Sequence, residues 1–491
     1  MERKQVILNL LKKGYLVSPE IIAEINDQDD LINNLIKKFD SKNIPLVINR
    51  EILQTANKKP ETPDLSFKIK PNVKILKNYT NEDKKIEVGD FVNYFKLRYK
   101  EIRGILQKRP ELQDVISINR ILNKKEKEKA SFIGILSDKH ETKNGNFILT
   151  FEDLTGKIKV IVSKNERELH ELCKDIMLDE VLGVNGSLGK EIIFARSIIY
   201  PDLPLTKELK KSPDEVYAIC TSDLHVGSTY FYKENFLKFI DWLNGNFGGE
   251  KQAEITKKVK YLFLCGDLTA GVGVYPKQED ELAIKDVYEQ YKELAGLLGK
   301  IRKDIFIIAC PGNHDSVRMS EPQPILSRNF AKPLFELQNI IFANNPGWIN
   351  IHSSENFDGF TFLLYHGFSF FYYASNVESI RKSGGSARGD LIKKYLLQRR
   401  HLAPSHTSTL YFPDSRFDPL IIDIIPDFFV SGHLHQISNE DYRNVTMIGC
   451  GCWEKLTKYQ EKTGSKSDPC KITLINLKNR EIKVLNFLKD S

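Results

Sequence analysis

Between residues 216 and 436 five apolar runs stop abruptly on the same kind of polar ending: "VYAICTSDLH", "YLFLCGDLTAG", "IFIIACPGNHD", "FTFLLYHG" and "DFFVSGHLHQ". Each run is short and rich in β-branched and aromatic residues, as a buried strand is. Between the first three lie the helical patterns "ENFLKFIDWLNG" and "ELAIKDVYEQYKELAGLLGKI". Strand and helix therefore alternate, which predicts a layered α/β fold. In such folds ligands bind beyond the carboxyl ends of the strands. The polar endings are thereby brought to one crevice: Asp223, His225, Asp267, Asn313, His314, His366, His433 and His435.

The residue types say what gathers there. Carboxylate, imidazole and amide oxygen without thiolate suit divalent ions such as Mn²⁺, Mg²⁺ or Fe²⁺ better than a structural zinc. Asp-x-His and His-x-His each place two ligands at one strand end, and Asp267 has two oxygens with which to bridge two ions. A pair of ions about 3.5–4 Å apart clamps a phosphodiester, activating water on one side and neutralising phosphate charge on the other. Any one of these motifs arises by chance, and a lone histidine is usually a satisfied core or surface residue. Five of the ten histidines fall in these endings, in order along the chain, which makes coincidence a poor explanation.

D-x-H, G-D, G-N-H-D, H-G and G-H-x-H in that order resemble the signature of the calcineurin-like metallophosphoesterases, over about residues 216 to 455. With the segments ahead of it, the chain is similar to the small subunits of the archaeal family D DNA polymerases. That resemblance implies a 3′→5′ exonuclease that proofreads for a separate large polymerase subunit, acting on single-stranded or 3′-frayed DNA, with a sliding clamp as a further partner. It implies one ion on Asp223, His225, Asp267 and His435 and a second on Asp267, Asn313, His366 and His433. Both are expected to be Mn²⁺, with Mg²⁺ or Fe²⁺ as alternatives. It makes His314 the group that meets the scissile phosphate, with Asp315 orienting its ring.

The rest of the chain is read by pattern. At 491 residues it is long enough for about three domains. Residues 1–52 carry short helical patterns, with Ser18 as an N-cap and Pro19 at the first helical position, and predict a small helical module. Residues 53–87, "NKKPETPDLSFKIKPN" among them, are polar and proline-dotted and predict a flexible linker. A connecting helix is expected over 88–117. Residues 118–202 alternate β-rich runs with the turns "KNGN" and "LTGK" and predict a small barrel of the oligonucleotide-binding (OB) type. Its aromatics, chiefly Phe132, Phe147, Phe151 and Phe194, are needed mostly for a core, so a docking barrel is expected over a base-stacking platform. The phosphoesterase domain is expected over 213–491.

Charge is uneven. Residues 1–150 hold 29 Lys+Arg against 21 Asp+Glu while the remainder is nearly balanced, so the basic excess lies in the front third and suits an anionic partner. A second basic stretch, "SIRKSGGSARGDLIKKYLLQRRH", lies between the His366 and His433 motifs. Arg381, Lys382, Arg388, Lys393 and Lys394, with Arg399 and Arg400, are expected to grip a DNA backbone, against the alternative of a solvated helix. Seven cysteines fit a reducing compartment, and Cys450 and Cys452 form a lone C-x-C that reads as structural thiols, because a closed zinc site takes four ligands. No secretion signal or membrane span is read, so an intracellular, nucleoid-associated protein is expected. Two competing functions are a catalytically silent scaffold subunit and a phosphatase or nucleotide phosphodiesterase. The complete set of polar strand ends argues against the scaffold, since buried carboxylates and imidazoles are costly without something to bind.

Overall fold

The computed structural model describes residues 69–79, 85–414, 416–457, 460–461, 464 and 466–488, together with the backbone of two short strands nearer the front. The chain divides into two compact units, residues 1–67 and 68–491. In the first unit, β1 (Leu16–Val17) pairs in parallel with β2 (Val47–Ile48). The helical module expected over residues 1–52 otherwise lies outside the described residues.

The second unit begins with a departure from expectation. Residues Val73–Lys77, "VKILK", lie inside the span read as linker, yet they form strand β3, antiparallel to a strand of the phosphoesterase domain. Their alternating apolar pattern is that of a half-buried strand, and the prolines stand only before it. Helix α1 (Val88–Leu106) follows, closed at its start by reciprocal bonds between Glu87 and Asp90. After α2 (Ile118–Leu122) come β4 (Lys129–Glu141), β5 (Phe147–Glu152), β6 (Lys157–Val162), α3 (Arg167–Asp175), β7 (Val181–Leu188) and β8 (Ile192–Ile199). These five strands close into a barrel in the order β4-β5-β6-β8-β7. Phe132, Phe147 and Phe151 fill its interior, and only Phe194 of the four aromatics is exposed.

The remaining strands build two six-stranded sheets. The first combines β9 (Tyr217–Thr221), β10 (Val259–Cys265), β11 (Phe306–Cys310) and β12 (Ile340–Phe342), all parallel, with an antiparallel pair near the carboxyl end. Helices α4 (Lys233–Leu243), α5 (Glu250–Lys258), α6 (Val287–Leu298) and α7 (Arg328–Phe335) make the crossovers. The second sheet contains β13 (Gly347–Ile351) and β14 (Phe360–Leu364). Helices α8 (Phe370–Asn376), α9 (Glu378–Lys382) and α10 (Gly389–Arg399) come next, and then the sheet's strands β15 (Phe428–Ser431), β16 (Ser438–Tyr442) and β17 (Val445–Gly449). Strands β18 (Lys471–Asn476) and β19 (Ile482–Asn486) return to the first sheet, in the order β12-β11-β10-β9-β18-β19. The second runs β16-β17-β15-β14-β13-β3.

Every residue of β9, β10, β14 and β15 is buried, because each sheet is covered on both faces. Phe263 of one sheet stacks on Phe362 of the other at 4.3 Å between ring centroids, so the sheets meet face to face. On the outer face of the first, Phe236, Phe239, Tyr291 and Leu294 pack from the helices; on that of the second, Phe370, Ile392 and Leu396 do the same. The layered α/β arrangement places the ends of β9, β10, β11, β14 and β15 together. Among the described residues no helix is long and apolar enough to cross a membrane.

Candidate metal centre

The five strand ends do not simply stop; several turn into an unusual backbone. Asp223, His225, Asp267, His433 and His435 all have φ between 49° and 68°. That left-handed conformation costs a residue with a Cβ about 1–2 kcal/mol. Such strain persists where the surroundings impose it, and it concentrates at functional sites. The neighbouring glycines have a steric reason. A Cβ on Gly312 would stand 2.2 Å from Asp267 Oδ1, and one on Gly266 would stand 2.2 Å from His366 Nδ1. The G-D and G-N-H-D motifs are therefore backbone making room for the polar side chain of a neighbouring strand.

The side chains converge. Asp223 Oδ1 lies 3.1 Å from His435 Nε2, and His225 Nε2 lies 3.4 Å from the same nitrogen. Asp267 is central: its Oδ2 is 3.8 Å from His225 Nε2 and 3.3 Å from His366 Nε2. Its Oδ1 accepts the His314 amide at 2.8 Å. Asn313 Oδ1 is 3.1 Å from His366 Nε2, and the His433 ring stands edge-on to His366 at 5.1 Å. Three sets offer ligand atoms within 4.8 Å of one another: Asp223, His225 and His435; His225, Asp267 and His314; Asp267, His366 and His433.

The tautomers fit metal binding. His366 Nδ1 donates to the Cys265 carbonyl at 2.9 Å, which turns Nε2 toward the centre, where a bound cation would take the place of its proton. Burial, aided by neighbouring imidazoles, pushes His225 and His433 down to about 3, which keeps both rings neutral. Burial also works against a charge on His366, but Asp267 and Asp223 outweigh it and hold it up to about 10. Buried carboxylates, an amide oxygen and imidazole nitrogens, with no thiol in the cluster, are a donor set for divalent cations.

Two expected roles change. The Asp315 carboxylate does not reach the His314 ring. It accepts the amides of Gly312 at 2.9 Å, Leu268 at 3.1 Å and Thr269 at 3.3 Å, with the Tyr291 hydroxyl at 3.2 Å, and so fastens the loop after β11 to the loop after β10. His314 is oriented instead by the Ala270 carbonyl, 2.9 Å from its Nδ1. The basic stretch is only partly available for a clamp. Lys393 is fully buried, pointing at the hydroxyls of Ser431 and Ser438. Arg399 is buried against Glu180 of the barrel and the ring of Tyr395, and Arg400 is buried donating to backbone carbonyls. Arg388 is forked onto Asp390 and Lys382 is paired with Glu378. Arg381, Lys382 and Lys394 remain exposed. The seven cysteines, Cys450 and Cys452 among them, are buried free thiols.

One carboxylate in the site carries no sequence signal. Glu454, buried just after β17, has Oε1 3.6 Å from His225 Nε2, and burial pushes it up to about 7. It is a single acid outside every motif, 229 residues beyond the histidine it faces.

Two covered sheets whose strand ends carry this Asp-His-Asn set define a metallophosphoesterase domain. Residues 218–437 match the family described as calcineurin-like phosphoesterase, whose members use divalent metals. The chain is 39% identical over 76% of its length to the DNA polymerase II small subunit of Methanothermobacter thermautotrophicus, covering 75% of that protein. It is 32% identical over 95% of its length to the small subunit from Pyrococcus furiosus, covering 79% of it. To that from Thermoplasma acidophilum it is 30% identical over 99% of its length, covering 93%. The chain belongs to the family of the archaeal DNA polymerase II small subunits.

Proposed function

We propose that this chain is the 3′→5′ exonuclease of a two-subunit replicative DNA polymerase, hydrolysing DNA phosphodiesters at a two-metal site. The observation that carries the reading is Asp267: one buried carboxylate oxygen lies within 4 Å of imidazoles from both sides of the centre, where a bridging ligand belongs. Asp223, His225 and His435 would hold one ion and Asn313, His366 and His433 the other, with Asp267 shared. The bound ions, Mn²⁺ in our reading, supply an activated water and a counter-charge for the phosphate. His314 stands at the mouth with Nδ1 anchored to Ala270, so its Nε2 is the atom that delivers a proton to the departing 3′ oxygen. Asp315 positions that loop and takes no part in the proton transfer.

The relatives' name, a small subunit of a DNA polymerase, supports a large catalytic subunit as partner; frayed 3′ ends as substrate, a sliding clamp as a further contact and an intracellular setting complete our reading. The barrel is read as an OB-type module used for docking. Its Glu180 meets Arg399, the backbone carbonyl of Asp175 accepts the Tyr395 hydroxyl at 3.1 Å, and its cavity is filled by its own phenylalanines. The test is degradation of end-labelled single-stranded DNA by the purified chain with Mn²⁺, alone and with its large subunit, beside His314→Ala. Metal-dependent shortening from the 3′ end, lost in the variant, supports the reading. Its absence in both preparations of the wild type leaves a scaffold.

A further inference from the structure

The metal centre is the floor of a cleft of about 980 Å³, and one feature of its walls is unused by the chemistry. Helix α8 opens with two phenylalanines. Phe370 is fully buried in the core, whereas Phe371 is 49% exposed and lines the cleft. Its ring stands edge-on to His433 at 5.1 Å, with Phe368 behind at 5.8 Å from the same imidazole. Beyond Asp267, beside the other histidines, Tyr275 stands edge-on to His314 at 6.2 Å. Its hydroxyl donates to Glu281 at 2.7 Å, which fixes the ring at the rim. An aromatic ring is thus held on each side of the centre, and neither offers a ligand, an acid or a base for the hydrolysis.

The cleft also carries two exposed cations, Lys277 and Lys466, and neither has a carboxylate partner among the described residues. Flat apolar surfaces beside a metal floor, with unpaired ammonium groups on the rim, match a ligand with a planar ring and adjoining phosphates. We infer that Phe371 and Tyr275 form a stacking site for the unpaired 3′-terminal nucleobase of a DNA strand, with Lys277 and Lys466 meeting the phosphates next to it. The inference rests on the nuclease reading above and sharpens it: a base still paired in a duplex is held in its stack and does not turn into the cleft, so the site selects frayed ends. Phe371 and Tyr275 act as positioning residues.

The test uses the full chain with Mn²⁺ and two end-labelled single strands, identical except that one ends in an abasic nucleotide. Stacking on one aromatic ring is worth roughly 5- to 150-fold in affinity. Phe371→Ala is expected to lose that factor in kcat/KM on the normal strand, chiefly through KM, with Phe371→Trp restoring it. On the abasic strand the wild-type advantage is expected to vanish. An equal loss on both strands, or no loss on either, overturns the proposal. If the wild type, alone and with its large subunit, cleaves neither strand, the nuclease reading has failed and stacking is read directly. Fluorescence of 2-aminopurine at the 3′ end is quenched on binding to the wild type and less so by Phe371→Ala if the inference holds; equal quenching overturns it.

Discussion

Asp418 and Asp267 are both buried carboxylates with histidine beside them, and they are surrounded differently. Around Asp418 every group is answered by protein. Its oxygens accept from Tyr94 at 2.6 Å, Arg98 at 2.8 Å, His401 at 2.9 Å and the Leu420 amide at 3.0 Å. Arg98 spends another donor on the Pro404 carbonyl, and His401 Nδ1 accepts the Ala403 amide. None of the four side chains sits on a left-handed backbone. Around Asp267 the accounting does not close: several imidazole nitrogens point at one another and at one oxygen, from strained strand ends. Burial and charge are common to the two clusters, so neither marks a site. What separates them is whether the protein alone satisfies the polar atoms it has buried.

The largest way to break this contrast is Asp267→Ala. We expect it to lose both ions and nearly all hydrolysis while the Asp418 cluster keeps the fold; elemental analysis finding full metal occupancy would remove the bridging role. His314→Ala sharpens the reading from the other side. Both ions should remain, and cleavage should slow by about 10² to 10⁴, the worth of a positioned acid; retained metal with wild-type turnover would strike His314 from the mechanism. Arg98→Ala attacks the satisfied cluster. Leaving Asp418 buried without its cation is expected to cost about 3–5 kcal/mol of stability, read as a lower denaturation midpoint, with metal per folded molecule unchanged. A loss of metal in that variant would show the clusters to be coupled.

The smallest effect is in acid. Burial opposes the charge on Asp418, but His401 and Arg98 outweigh it and hold the carboxyl well below the usual range. A carboxyl lowered by folding stabilises the native state above its unfolded pKa of about 3.9 and loses that contribution as pH falls further. Asp418→Asn should therefore be less stable than the wild type at pH 7 and lose less on going from pH 5 to pH 3. Parallel stability curves over that range would assign the acid sensitivity elsewhere.

The contrast also explains what could be read from the chain. Asp223, His225, Asp267, Asn313, His366, His433 and His435 were legible because each follows an apolar strand, and parallel strands deliver their ends to one crevice. Residues whose role depends on a distant partner were not. Lys393 looks like a surface lysine in "DLIKKYLLQRR", and only Ser431 and Ser438, brought in by β15 and β16, explain its burial. Asp315 follows His314 directly, which suggested a dyad, but its bonding partners come from the loop after β10. Glu454 and Phe371 carry no local pattern; only the closed fold puts them at the cleft. Strand β3 was hidden by its length, five residues after a proline-rich stretch, and by a partner found at β13.

That strand changes what counts as the front of the phosphoesterase domain. β3 is the last strand of the second sheet, and the barrel lies between it and the rest of that sheet in sequence. The domain is therefore discontinuous, with α1 and the barrel inserted into it. A fragment beginning at residue 85 or later would leave β13, every residue of which is buried, with an open row of unpaired amides and carbonyls. Such an edge is a template for another chain. The residues ahead of the barrel thus serve as a selvedge: they move the edge of the sheet from the buried β13 to a short strand with a lysine at either end of "KILK", which another chain joins less readily.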